Sequence, residues 1–144
     1  MNPAHLDLSR RPASATTIQR LDVCVPAGFP SPADDHMVQR CDLVALLSTH
    51  PQATYFLRVR GDSMVGAGIQ DQDIVAVDRA ITPRHGHTVV ARVDNEFTCK
   101  TLFQRDGQVR LVAANAAYPD IRLRDGQSLE IWGVVTAALT LFRT

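Results

Sequence analysis

The chain has 144 residues, enough for one domain with a real core and too few for two well-stabilised ones. Apolar residues make up 45% and charged residues 21%, the balance of a soluble globular protein, and the formal charge is zero. No basic cluster stands out, which argues against direct sequence-specific DNA binding, and no apolar run reaches the length of a membrane span or forms the centre of a signal peptide in residues 1–20.

Residues 1–27 read as an irregular arm of Pro, Ala, Ser, Thr and Arg, in which only residues 21–25 alternate as a short strand would. Pro26-Ala27-Gly28-Phe29-Pro30-Ser31-Pro32 is dense in turn-formers and is the clearest boundary in the chain. The expected organisation is therefore an N-terminal arm, 1–27, and a folded domain, 28–144. Asp42 is a plausible N-cap for a short helix over residues 43–47, ended before Pro51. Strands follow at residues 55–60, 73–78, 88–93, 96–103, 108–113 and 128–138. Asp94-Asn95 and Asp106-Gly107 are hairpin turns between them. Six or seven strands with one or two short helices predict a mainly β, compact fold with an extended N-terminal arm.

Composition singles out one residue. The fifteen basic residues are fourteen Arg and one Lys, and that Lys100 lies within the strand-like Glu96-Phe97-Thr98-Cys99-Lys100-Thr101-Leu102-Phe103. Burial can strip the proton from a lysine but not from an arginine. An unperturbed lysine, pKa about 10.4, is neutral in roughly one molecule in a few thousand at pH 7; burial can lower that pKa by up to about 3–5, enough to make a useful general base. Phe97, Leu102 and Phe103 are the expected apolar neighbours. Upstream, Gly61-Asp62-Ser63-Met64 places a hydroxyl in a turn after a strand, and a hydroxyl with a neutral lysine is a nucleophile–base pair. Taken singly, Ser63 is an ordinary turn residue and Lys100 a snorkelling strand lysine. Gly-Asp-Ser also opens a lipolytic-hydrolase signature, but no Asp-x-x-His pair or βα alternation follows. Ala27-Gly28, small residues after a β-prone run, suit a segment that enters a narrow cleft.

Other candidates read as structure. His85-Gly86-His87 marks a strand-entry turn, Cys99 faces the core side of its strand, Asp34-Asp35-His36 is a solvated helix approach, and Asp71 and Asp73 are turn acids. Cys24, Cys41 and Cys99 are odd in number and lack ligand spacing, which points to a reducing cytoplasm and to no metal or cofactor.

Several ordered blocks carry a resemblance: Ala27-Gly28-Phe29-Pro30-Ser31-Pro32, His50-Pro51-Gln52-Ala53-Thr54-Tyr55-Phe56, Gly61-Asp62-Ser63-Met64, Gly68-Ile69, Val77-Asp78, His85-Gly86, Glu96-Phe97-Thr98-x-Lys100 and Glu130-Ile131-Trp132-Gly133-Val134-Val135-Thr136. From about Ala27 to Phe142 the chain resembles the UmuD/MucA-like branch of the LexA-type self-cleaving serine proteases. The resemblance implies that Ser63 is the nucleophile, Lys100 its base, and the backbone N–H groups of Ser63 and Asp62 the oxyanion donors. It implies that the Ala27–Gly28 bond is cut, in the same chain or the same dimer, with stimulation by a RecA–single-stranded DNA filament in the SOS response. The shortened homodimer then joins the catalytic subunit of a Y-family polymerase for translesion synthesis. Two departures stand out: Pro26 removes a backbone donor beside the scissile bond, and Gln72 stands where relatives usually carry Gly, which puts the turn before Ile74 in question.

Three other functions compete. A non-cleaving dimeric interaction module of the same fold, regulating a polymerase or transcription, is the main alternative. A LexA-type repressor is disfavoured because the arm is too short for a helix-turn-helix, and a signal peptidase because no membrane anchor is seen.

Overall fold

A computed structural model describes residues 17–21, 25, 27–29, 38–123 and 126–144. The chain divides between Thr49 and His50 into two compact units. In the smaller, β1 (Thr17–Leu21) pairs antiparallel with β2 (Val38–Asp42), from Thr17 opposite Asp42 to Leu21 opposite Val38. The helix α1 (Leu43–Leu47) follows directly, and the Asp42 carboxylate caps it by accepting from the Val44 and Ala45 N–H groups at 2.9 and 3.4 Å. Ala27, Gly28 and Phe29 form an exposed bend.

β1 corrects the reading of residues 17–20 as irregular. Its order comes from a ladder with a segment distant in sequence, which local pattern does not reveal. Of the strand expected at 21–25, Leu21 ends β1 and Val25 lies outside any strand. The residues between them lie outside the described ones, as do Pro26 and Asp34, Asp35 and His36.

The larger unit, from His50 onward, is an antiparallel sheet. Its strands are β3 (Thr54–Arg58), β4 (Ile74–Asp78), β5 (Thr88–Val93), β6 (Glu96–Arg105), β7 (Gln108–Val112), β8 (Ile121–Arg122) and β9 (Leu129–Leu139). Their order across the sheet is β3-β4-β9-β5-β6-β7-β8. The fold is mainly β, as expected. Both short hairpins turn where the sequence places them: Asp94 and Asn95 have φ 48° and 68°, Asp106 and Gly107 φ 53° and 72°. Two successive positive φ values give the turn whose twist matches antiparallel strands. β8 escaped the sequence reading because two residues show no alternation.

The long β9 organises the sheet. Its C-terminal half pairs with β4 and its N-terminal half with β5, with register shifts at Ala76/Val77 and Val90/Ala91. Each face carries its own apolar cluster: Met64, Ile69, Val75, Val77 and Val90 on one side, Val89, Ala91, Leu102, Leu111 and Val134 on the other. Neighbours in sequence thus go to opposite cores, Val89 and Ala91 to one and Val90 to the other, as the two-residue period of a strand requires. Two blocks of the resemblance meet at the edge of this sheet. His50 Nδ1 lies 2.7 Å from Asp78 Oδ2, and the fully buried Asp78 also accepts the Ala80 N–H at 2.8 Å. Burial pushes the Asp78 carboxyl up, but the hydrogen bonds from His50 and Ala80 outweigh it and hold the carboxyl below its usual range.

Gln72 adopts φ 71°, the left-handed backbone that a glycine takes without strain. The turn keeps its hydrogen bonds, Gln72 N–H to the Val59 carbonyl at 2.8 Å and Asp73 N–H to the Gln70 carbonyl at 3.1 Å. Gln72 therefore strains this turn, whose backbone hydrogen bonds are all the same made.

Gly133 is where the sheet tolerates no side chain. A Cβ there would sit 2.6 Å from Val77 Cγ1 and 3.3 Å from the Asp78 carbonyl oxygen. Gly133→Ala is expected to lower stability by about 1–3 kcal/mol, the cost of overpacking a core. Urea unfolding would show this, and a midpoint equal to wild type would disprove the close approach.

Candidate active site

The turn after β3 is built from a glycine, an acid and a buried anchor. Gly61 has φ 94°, and its N–H donates to Asp71 Oδ1 at 2.7 Å. That bond, reinforced by the Gln72 side chain, holds the Asp71 carboxyl below its ordinary range. Asp71 is thus a turn acid, as read from the sequence. Asp73 is another: fully buried, it accepts the Gln70 N–H at 2.8 Å and the Thr140 hydroxyl at 2.6 Å. Met64 is 1% exposed and seated in the first core, so the residue before it is held at the sheet surface by an apolar plug. A 3-10 turn, Val65–Ala67, then closes on Gly68 in the left-handed region. Ser63, between turn and plug, is half-buried.

β6 brings the amine. Lys100 is 8% exposed and pairs in register with Val89, which is fully buried. Leu102, two residues on, shares its face and is 2% exposed. Burial lowers the Lys100 pKa, against the opposing pull of the neighbouring Cys99 sulfur. Lys100 Nζ lies 3.0 Å from Ser63 Oγ, 3.0 Å from Thr98 Oγ1 and 3.1 Å from the Cys99 carbonyl oxygen. The two residues singled out by sequence, 37 apart, therefore meet at hydrogen-bond distance.

Only part of the expected apolar wall is there. Leu102 belongs to it, but Phe97 and Phe103 point to the opposite face, as their odd spacing from Lys100 dictates. Phe97 is 55% exposed and stands edge-on to Trp132, while Phe103 lies under the Arg110 guanidinium and beside His85. Val89, supplied by the neighbouring strand, fills the role instead. Cys99 faces the first core, and burial pushes its thiol up to about 11. It is an inert core thiol, as expected. His85 and His87 form the turn into β5, with His87 Nδ1 accepting the Arg84 N–H and His85 Nδ1 the Gln104 N–H, each at 3.1 Å.

Sequence reasoning missed Thr98, Asn115 and Tyr118. Thr98 was within reach, since it lies two residues from Lys100 in a strand and so on the same face. Asn115 and Tyr118 come from the segment between β7 and β8 and touch Asp62: Asn115 Nδ2 donates to the Asp62 carbonyl at 3.0 Å and the Tyr118 hydroxyl to the Asp62 carboxylate at 2.5 Å. No local pattern announces contacts across more than fifty residues. Among the described residues the N–H groups of Asp62 and Ser63 have no acceptor. Ala27 and Gly28 lie in the smaller unit, exposed to solvent.

An amine out of water beside a hydroxyl is the pairing that nucleophilic catalysis with a lysine base requires. The Peptidase S24-like family matches residues 19–136, and the chain belongs to that family. It is 46% identical to Protein MucA of Salmonella typhimurium over 116 residues, 80% of this chain and 79% of MucA. To Protein ImpA of Shigella flexneri it is 43% identical over 110 residues, 76% and 74% of the two chains. To the LexA repressor of Paracidovorax citrulli it is 37% identical over 115 residues, 80% of this chain and 51% of that protein. The chain is thus a UmuD-like member of the SOS-related, self-cleaving peptidase family. Among the described residues no helix is long and apolar enough to cross a membrane.

The lowered Lys100 pKa has a stability consequence of definite sign. The fold disfavours the ammonium relative to the unfolded chain, so stability falls as pH drops through the lowered pKa and is recovered above the ordinary lysine range. In a Ser63→Ala background, which separates folding from chemistry, the Lys100 chain should gain on Lys100→Met as pH rises from 7 toward about 10.4. A constant gap in urea midpoints across that range would contradict the burial of the amine.

Proposed function

We propose that this protein cuts its own Ala27–Gly28 bond with Ser63 as nucleophile and Lys100 as general base. One observation carries the reading: the only lysine of the chain is nearly buried and ends 3.0 Å from the Ser63 hydroxyl, which follows the Gly61 turn. A neutral amine has two N–H groups and one lone pair. With the N–H groups given to Thr98 Oγ1 and the Cys99 carbonyl, the lone pair is left for the Ser63 O–H.

In the proposed reaction Lys100 takes the Ser63 proton as Oγ attacks the Ala27 carbonyl carbon. The negative charge on the tetrahedral oxygen is met by the Ser63 and Asp62 N–H groups, which have no acceptor among the described residues. The C–N bond then breaks, the Lys100 ammonium gives its proton to the Gly28 nitrogen, and Ala27 is left as an ester on Ser63. Water, deprotonated by Lys100, hydrolyses the ester to free Ser63 and an Ala27 carboxylate. The arm, 1–27, leaves a product of residues 28–144.

Family membership supports a place for this cut in the SOS response. On that reading a RecA–single-stranded DNA filament accelerates it in the cytoplasm, and the shortened homodimer serves a Y-family translesion polymerase as accessory subunit. No cofactor enters any step.

Purified protein is expected to cut itself faster as pH rises toward 10, since hydroxide frees the amine, and the new N-terminus should be Gly28 by mass spectrometry. Ser63→Ala, Lys100→Ala and Lys100→Arg should each abolish the reaction, Arg because it keeps its proton. Cutting that persists in any of them would point to another nucleophile or a contaminant, and an inert wild type would favour the interaction module. Added RecA filament should raise the rate at neutral pH.

The cut also separates two paired strands. β1 precedes Ala27 and β2 follows Gly28, and only five residue pairs join them. A two-stranded ladder is marginal by itself. Amide exchange at Val38–Asp42 should therefore speed up after cleavage, and unchanged protection would mean that the arm stays bound.

A further inference from the structure

The segment between β7 and β8 grips the Ser63 turn from outside. Besides the Asn115 and Tyr118 contacts to Asp62, the Gly66 N–H donates to the Ala114 carbonyl at 2.8 Å. A Cβ on Gly66 would come within 2.6 Å of that oxygen, so the two backbones touch because residue 66 is glycine. Asn115 is itself oriented: its Oδ1 accepts the Ala117 N–H at 3.0 Å and its carbonyl the Tyr118 N–H at 3.1 Å. With Oδ1 so engaged, Nδ2 is the atom turned to Asp62. These polar contacts are solvent-exposed, and bonds of that kind add little to stability. Their value lies in what they aim.

The carbonyl of Asp62 and the N–H of Ser63 belong to one planar peptide group, so the direction of the first dictates that of the second. A donor on the carbonyl oxygen also polarises the group and strengthens its N–H as a donor. We propose that Asn115, supported by Tyr118, is a positioning residue that aims and polarises the Ser63 N–H toward the oxyanion formed during self-cleavage. Asn115 fixes the plane of the peptide from its oxygen. Tyr118 fixes the Asp62 side chain, and the adjacent carboxylate, through that hydrogen bond, holds the Tyr118 phenol above its ordinary pKa, which keeps the contact in place at alkaline pH. This inference rests on the Ser63–Lys100 reading.

Asn115→Asp tests it, because a carboxylate still accepts the Ala117 N–H but has no proton to give Asp62, and its charge repels the Asp62 carbonyl oxygen. Self-cleavage at alkaline pH should fall about tenfold to hundredfold, short of the loss of a whole oxyanion donor. The rate should still climb with pH, since Lys100 keeps its place. At neutral pH the Ser63 amide nitrogen resonance should shift. Tyr118→Phe, which keeps the ring, should lose roughly fivefold. A wild-type rate in Asn115→Asp or an unshifted Ser63 resonance overturns the positioning role while leaving the dyad standing. A wild-type chain that never cuts, or a Lys100→Ala chain that cuts as fast, overturns the dyad and the positioning role together.

Discussion

The 3.0 Å contact between Lys100 Nζ and Ser63 Oγ places two opposed demands on its surroundings. To act as a base the amine must lose its proton, and the buried Val89 and Leu102 on its face favour that loss by keeping water away. To rest stably in the fold it must have partners, and three acceptors surround it, one for each proton of an ammonium. Desolvation pulls the pKa down, whereas hydrogen bonds to the charged form pull it back. Desolvation wins, but against resistance. In the proposed reaction that balance decides how readily the amine takes the Ser63 proton.

The sheet exists, in functional terms, to hold that compromise. Lys100 can be dry only if the strand beside it presents a buried residue in register, and β5 does so with Val89. β5 in turn is fixed by β9, whose eleven residues span two neighbours and whose register shifts let one strand serve both. Ser63 needs the opposite treatment, a surface turn that does not drift. Met64 supplies the anchor from below, Asp71 holds the turn entry at Gly61, and the 114–118 segment closes it from outside. The proposed base is placed by a sheet and the proposed nucleophile by a loop tied at three points. That division follows from what each group needs: dryness for the amine, access to a peptide for the hydroxyl.

What was legible in the sequence follows the same division. The strands of the larger unit announced themselves through alternation and two-residue turns, because those signals are local. Lys100 was legible through composition alone: a chain that otherwise uses arginine has a reason to place one group that can lose a proton. Its apolar surroundings were legible only in part. Phe97 and Phe103 are near Lys100 in sequence yet on the wrong face, and Val89 is right for a reason that only strand pairing supplies. The same limit hid β1, whose order depends on β2, and hid Asn115 and Tyr118, which reach Asp62 across 53 and 56 residues. Periodicity reports which face a residue takes. It does not report which strand lies next to it.

The proposed scissile bond adds a last constraint, because it lies between two strands that pair. While the chain is intact, β1 is tethered to β2 and finds it again after every opening, at the modest entropic cost of closing a loop. Once the tether is cut, the same few bonds must hold a separate peptide, which dilution opposes. β2 then keeps its place on the product side with an unpaired edge, the kind of surface that accepts a strand from another chain. On this view the reaction changes the protein by removing a cover, with no rearrangement of the sheet that carries Ser63 and Lys100. The core from β3 to β9 lies wholly on the surviving side of the proposed bond.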